Sequence, residues 1–288
     1  MTADPNGPTD LNGGDFDRGA HRIDLRSPTR AGRYPTTDMP PRAKRWVPLS
    51  LRIYLATMAL LGVASVLFVG MPIYEQLIAI REIKRLGGGV SAQQGGPDWL
   101  RDWLGDERMQ GFDAVNSVNF YKSEIDDQRL WCCRKLADLK LLFLHKTKVT
   151  DDGIARLSGI TSLTQITLGE TSVSDAGLAH LKQLTKLKGL TLDHTRITDI
   201  GLQYLKGLPE LELLSLEHTA VTDEGIRTCA AFKNLQSLQL SSTHVTDAGL
   251  VHLIGLANLE RVDLLNTSVT DAGIADLQRA MPQLWIAR

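Results

Sequence analysis

Hydrophobic positions divide the chain into unlike stretches. From about residue 115 they recur every 24 residues without slippage, in LxxLxL blocks such as LTQITL (163–168), LKGLTL (187–192), LELLSL (211–216) and LQSLQL (235–240). The fourth and sixth positions of such a block alternate, which predicts a short strand with one face buried. Polar markers keep the same step. An aspartate stands at Asp127, Asp151, Asp175, Asp199, Asp223, Asp247 and Asp271, with a glycine two residues later from Gly153 to Gly273. Four residues before each aspartate is a hydroxyl: Ser123, Thr147, Thr171, Thr195, Thr219, Thr243, Thr267. These hydroxyls are placed to end each strand and bond loop backbone of their own or the neighbouring turn, as a structural ladder. A second hydroxyl directly before the aspartate, as at Thr150, Ser174 and Thr198, predicts a helix N-cap, and the helix dipole favours the aspartate in the first turn. The helix after it is short and buries Leu157, Leu181, Leu205, Cys229, Leu253 and Leu277. A fixed period of this length means a solenoid.

A different pattern fills residues 53–74. These 22 residues, IYLATMALLGVASVLFVGMPIY, carry no charge. As a helix they span roughly 33 Å at about 1.5 Å per residue, which matches a hydrocarbon core. Tyr54 and Tyr74 at the ends, with Trp46 just upstream, suit the interfacial belt. We therefore expect one transmembrane helix. Five flanking Lys/Arg upstream (Arg33, Arg42, Lys44, Arg45, Arg52) against three downstream (Arg81, Lys84, Arg85) place the N-terminus in the cytoplasm and export the repeats, to a periplasm or cell surface.

Before that run, residues 1–45 hold six of the eleven prolines and only isolated apolar positions, which predicts a disordered tail. After it, residues 75–114 read as a stalk. EQLIAIREIKRL is loosely helical and stops at Gly87-Gly88-Gly89; SAQQGGP reads as a flexible break. PDWLRDWLGD sets Trp99, Leu100, Trp103 and Leu104 on one helix face, expected to pack on the cap of the repeat domain. That domain, 115–288, divides into an N-terminal cap (115–138), 24-residue repeats (139–282) and a C-terminal half-repeat (283–288) ending in Leu284-Trp285-Ile286, expected to cover the last coil.

Composition adds little to this. With 32 basic and 33 acidic residues the chain is no strongly basic nucleic-acid binder, and three cysteines are no disulfide framework. Cys133 and Cys229 fall at the helix core position; Cys132 lies off that register and is the one expected to be exposed.

The repeat unit LxxLxLxxT-x-V/I-T-D-x-G-L resembles the leucine-rich repeat, with Thr where that family usually has Asn or Cys, and is similar to the cysteine-containing subtype of F-box adaptors and bacterial relatives. The order of anchor, stalk and repeats also resembles bacterial membrane-anchored proteins of this kind. The resemblance implies an α/β, right-handed solenoid with parallel strands on the concave face and short helices on the convex side. It implies a protein-interaction module displayed from a membrane. The alternative function is substrate recognition for a ubiquitin ligase, but residues 1–45 lack the apolar helical segment an F-box needs.

Candidate chemistry is sparse. There is no GxSxG, HExxH, P-loop or CxxC motif, so we expect no enzyme and no cofactor. His194 and His218 stack one coil apart, about 5 Å by strand spacing, next to Asp193, Glu217 and Glu170. Two imidazoles and carboxylates can hold a divalent metal, but a solvated polar rim is the simpler account. Solenoids bind through the concave surface. Its outward positions are expected to include Leu141, Phe143, Gln165, Thr167, Thr191, Leu213, Ser215, Gln239, Arg261 and Asp263, a neutral, hydroxyl-rich face suited to a protein or peptide.

Overall fold

The computed structural model describes residues 48–288; the tail expected over 1–45 lies outside them. Helix runs from Leu49 to Arg85, as α1 (Leu49–Ser65), a wider π-turn (Val66–Gly70) and α2 (Met71–Arg85). The π-turn precedes Pro72, which has no N–H to donate, and Met71 N donates five residues back to Val66 O. This helix is long and apolar enough to cross a membrane, and none of its most apolar stretch is buried.

The second half of α2 behaves differently. Ala79, Ile80 and Ile83 are buried and join the core of the repeats. The helix ends where Gly87 turns left-handed (φ +79°) and Gly88 N donates to Ile83 O at 2.9 Å. A side chain at Gly88 would overlap Ile83 and Phe120, so glycine lets the chain turn tightly against the core.

Next comes β1 (Gly89–Gln93), antiparallel to β2 (Ala114–Asn119) with an irregularity between Ser91 and Ala92. Part of the SAQQGGP segment expected to be a flexible break is therefore strand. Its backbone groups pair with β2, which would otherwise be an open sheet edge. Between them lie α3 (Asp98–Leu104) and α4 (Asp106–Met109). Trp99 and Trp103 of α3 are exposed, against expectation, while Leu100 and Leu104 are half-buried. Arg101 decides the difference: it turns inward to Gly95 O (3.0 Å) and to the Asp113 carboxylate, and so rolls the tryptophans outward.

The remaining strands are β3 (Leu141–Phe143), β4 (Gln165–Thr167), β5 (Gly189–Thr191), β6 (Leu213–Ser215), β7 (Ser237–Gln239), β8 (Arg261–Asp263) and β9 (Trp285–Ala287). With β1 and β2 they make one nine-stranded sheet in chain order, parallel from β2 onward. Each coil returns through a 3-10 turn (Arg129–Lys135) or a short helix: α5 (Asp151–Leu157), α6 (Asp175–Leu178), α7 (Asp199–Tyr204), α8 (Asp223–Cys229), α9 (Asp247–Leu250) and α10 (Asp271–Ala280). Leu142, Ile166, Leu190, Leu214 and Leu238 stack through the middle without exposure. Each such side chain is worth about 1.5–3 kcal/mol of burial, which a three-residue strand could not supply by backbone pairing alone.

Two polar ladders lock the coils. The first closes within each coil: Thr147, Thr171, Thr195, Thr219, Thr243 and Thr267 donate Oγ1 to the carbonyl three residues back, at 2.5–2.8 Å. Ser123 Oγ, in the cap, is buried without a partner. The second ladder joins neighbours. Asp151 accepts from Ser174 N (2.7 Å) and Ser174 Oγ (2.6 Å), and Asp175 does the same with Thr198 at 2.8 and 2.6 Å. The clamp recurs from Asp127, Asp199, Asp223 and Asp247. The hydroxyl so held is itself the N-cap: Thr198 Oγ1 accepts from Ile200 N at 3.2 Å. At Gly177 an added Cβ would overlap the Asp151 carboxylate, which explains why aspartate and glycine recur together.

All three cysteines are buried, Cys132 included. Both Cys132 and Cys133 lie in the 3-10 turn at Arg129–Lys135, against which α2 packs, and Trp131 between them and Leu130 stays outside. Burial pushes the Cys229 thiol up to about 12, so it packs as a neutral apolar group.

Candidate functional site

Strand register places two outward rows on the sheet. One runs Ser117, Leu141, Gln165, Gly189, Leu213, Ser237, Arg261, Trp285; the other runs Asn119, Phe143, Thr167, Thr191, Ser215, Gln239, Asp263, Ala287. The ten residues expected on this face all fall in these rows. Leu141, Phe143, Gln165, Thr167, Thr191, Leu213, Gln239 and Asp263 are half-buried and Arg261 is exposed.

Ser215 departs from expectation. It is fully buried, and its Oγ donates to Asp193 Oδ1, which also accepts from Glu217 N at 3.1 Å. The Asp193 carboxylate thus covers Ser215 and removes it from the accessible surface. Thr167 Oγ1 is sealed from solvent and has no hydrogen-bond partner. Trp285, outside the ten, also falls in the first row, opposite Arg261, and is 59% exposed, so the last coil is covered by Leu284 and Ile286 rather than by its ring. Its signal was available, since Trp285 stands 24 residues after Arg261. Leu284 is the buried member of that terminal segment.

Beyond the strands the backbone enters the left-handed region at Lys122, Lys146, Glu170, His194, His218, Ser242 and Asn266, with φ between 53° and 58°. Such backbone costs about 1–2 kcal/mol outside glycine. In the first six of these it is held because the residue's N–H continues the parallel ladder, as in Glu170 N to Asp193 O and His194 N to Glu217 O, each 2.8 Å.

This turn builds the rim. The His194 and His218 rings stack with centroids 4.0 Å apart and planes 14° from parallel. Among the described residues, no group of three or more His, Cys, Asp or Glu is arranged to hold a metal ion. At the N-terminal end of the rim Tyr121 stacks on His145 at 5.5 Å, and His145 Nε2 lies 3.2 Å from Glu170 Oε1. Lys146 bonds the same carboxylate at 2.8 Å and holds it below the usual carboxylate range. Farther along, burial, then Asp193 and Asp263, push the Glu217 carboxyl up. The face therefore has an aromatic and apolar end and an acidic stretch.

Residues 185–245 match the family model described as leucine rich repeat. Among solved structures, an internalin (inlF) of Listeria monocytogenes is 23% identical with a TM-score of 0.50, over 60% of this chain and 47% of that one. Internalin C2 of the same species is 22% identical with a TM-score of 0.48, over 63% and 82%. A leucine-rich-repeat protein of Leptospira interrogans is 19% identical with a TM-score of 0.43, over 55% and 45%. No curated protein matches the chain. The chain spans about half the length of the first internalin, and at that identity the likeness shows the fold alone.

Proposed function

From a chain that is a leucine-rich-repeat protein, we infer a non-catalytic, membrane-anchored module that presents its sheet face to a protein or peptide. The reading is carried by the two outward rows, to which each of eight successive strands adds two residues. Leu141 and Phe143 with the Tyr121–His145 stack suit an apolar anchor of the partner. Asp193, Glu217 and Asp263 suit a basic group that relieves their mutual repulsion. Residues 53–74 span the bilayer, with the N-terminus cytoplasmic and the repeats exported.

The test is crosslinking capture from native membranes by the full chain. Phe143→Asp and Trp285→Ala should each lower capture at least about tenfold, as loss of an aromatic anchor does. Because Phe143 is half-buried, its change also costs some stability; Trp285 is the cleaner probe. Undiminished capture by both variants overturns the sheet-face reading. For the anchor, carbonate washing should leave the full chain in the membrane pellet. Protease added to spheroplasts should reach the repeats and spare the N-terminus.

A further inference from the structure

Three large aromatic residues outside the repeats remain without a role. Trp99 is 68% exposed, Trp103 77% and Phe112 39%. Two tryptophans four residues apart on a short helix share one face, and the inward bonds of Arg101 fix that face outward. Their place in the fold identifies what covers them. Gly111 packs so tightly against α2 that an added Cβ would overlap Ile73 and meet Leu77. Gln76 Nε2 donates to Gln110 O at 3.1 Å and to Asp113 O at 2.6 Å. Asp113 in turn holds Arg101 and accepts from Gly95 N at 3.0 Å. Through these bonds α3 and Phe112 are fastened beside residues 73–77, where the uncharged run ends at Tyr74 and the first charge, Glu75, appears. Tyr74 itself is 62% exposed.

We propose that Trp99, Trp103 and Phe112 insert into the headgroup layer of the bilayer, beside Tyr74, and form with it an aromatic foot that holds the repeat domain against the membrane. The proposal rests on the reading of residues 53–74 as a span and adds a second, peripheral contact to it. Tryptophan and tyrosine prefer that depth because an apolar ring and a polar N–H or O–H are satisfied together there. Residues 98–109 carry Asp98, Asp102, Asp106 and Glu107 against Arg101 and Arg108, a net of −2. Attraction to anionic lipid is thus not the driving force, and the occupant is a zwitterionic surface held by ring burial. Anchoring at two points fixes the tilt of the array, which a single helix leaves free to swivel about its axis.

The experiment uses the full chain reconstituted in phosphatidylcholine vesicles whose acyl chains are brominated either near the headgroup or near the methyl end. Trp99→Phe/Trp103→Phe is compared with the wild type, and the difference emission isolates the two tryptophans. Both are exposed, so the pair should leave the circular-dichroism melt unchanged. Carbonate-resistant flotation reports the span independently. The expected result is that the difference emission is quenched about twofold by shallow bromines, little by deep ones, and is shielded from aqueous iodide. A chain that floats while these tryptophans remain open to iodide overturns the foot and keeps the span. Shielding from iodide without bromine quenching also overturns it, in favour of a protein covering this face. A chain that fails to float overturns the span, and the foot with it.

Discussion

Between Asp127 and Thr270 one carboxylate-to-hydroxyl clamp is made six times; between Ile73 and Asp113 each long-range polar bond is made once. The array is bonded only to its neighbours, coil to coil, so its stability is a sum of similar local terms. The cap, taken together with residues 73–114 that pack beside it, is bonded across long sequence gaps, as from Gln76 to Asp113 and from Lys135 to Glu75 at 2.9 Å. The difference shows how an apolar helix and a solenoid become one body. Ile80 and Ile83 supply to the first coil the buried surface that a preceding coil would otherwise supply. An open solenoid end exposes its core, and here the closing element is α2, the second half of the same helix that begins with the apolar run.

The largest effect should come from Leu190→Asp. It places a charge in the stacked core between two coils and should unfold the array, at a cost above about 4 kcal/mol, read as loss of the cooperative circular-dichroism transition. A folded variant would mean the coils are not coupled through that layer.

Ile83→Ala tests the other side of the comparison. Removing a fully buried isoleucine from the joint should cost about 2–5 kcal/mol. Hydrogen exchange should rise first in β1, β2 and the 3-10 turn, while α8 and β7 keep their protection. Uniform loss along the chain would show that cap and array melt as one unit.

Asp175→Ala removes two bonds from one carboxylate to Thr198 and should cost about 1.5–3 kcal/mol in urea unfolding. The loss should appear as exchange in the coils on both sides of the clamp rather than in the cap.

The smallest effect is on pH. The Thr270 hydroxyl and N–H hold the Asp247 carboxyl below its usual range. A carboxylate so shifted contributes stability above its unfolded pKa, about 3.9, and that contribution fades as pH falls through the lower folded value. Asp247→Asn should therefore differ from the wild type at about pH 7 and converge with it near pH 2, in the urea midpoint.

The repeat is legible in the sequence because periodic burial needs periodic leucine. Strand positions, capping hydroxyls and helix core residues could all be assigned from one unit and carried to the rest. The same regularity hides partners. When every coil is alike, spacing cannot tell a bond within a coil from one to the next. So the aspartates read as helix-dipole residues when their carboxylates reach 23 positions forward. Of the candidate face, the rows followed from register, but the burial of Ser215 under Asp193 depends on one side chain differing between coils.

What the amino-acid sequence determined alone is whatever repeats or runs long: the solenoid, its core and the apolar helix, each set by hydrophobic spacing that few other folds satisfy. Tertiary structure decided what occurs once. β1 forms in a stretch with no strand pattern because β2 offers unpaired backbone; Cys132 is buried because α2 packs over the 3-10 turn that carries it; Trp99 and Trp103 face outward because Arg101 is bound to Asp113. Each depends on a partner distant in the chain, and an unrepeated contact leaves no period from which to read it.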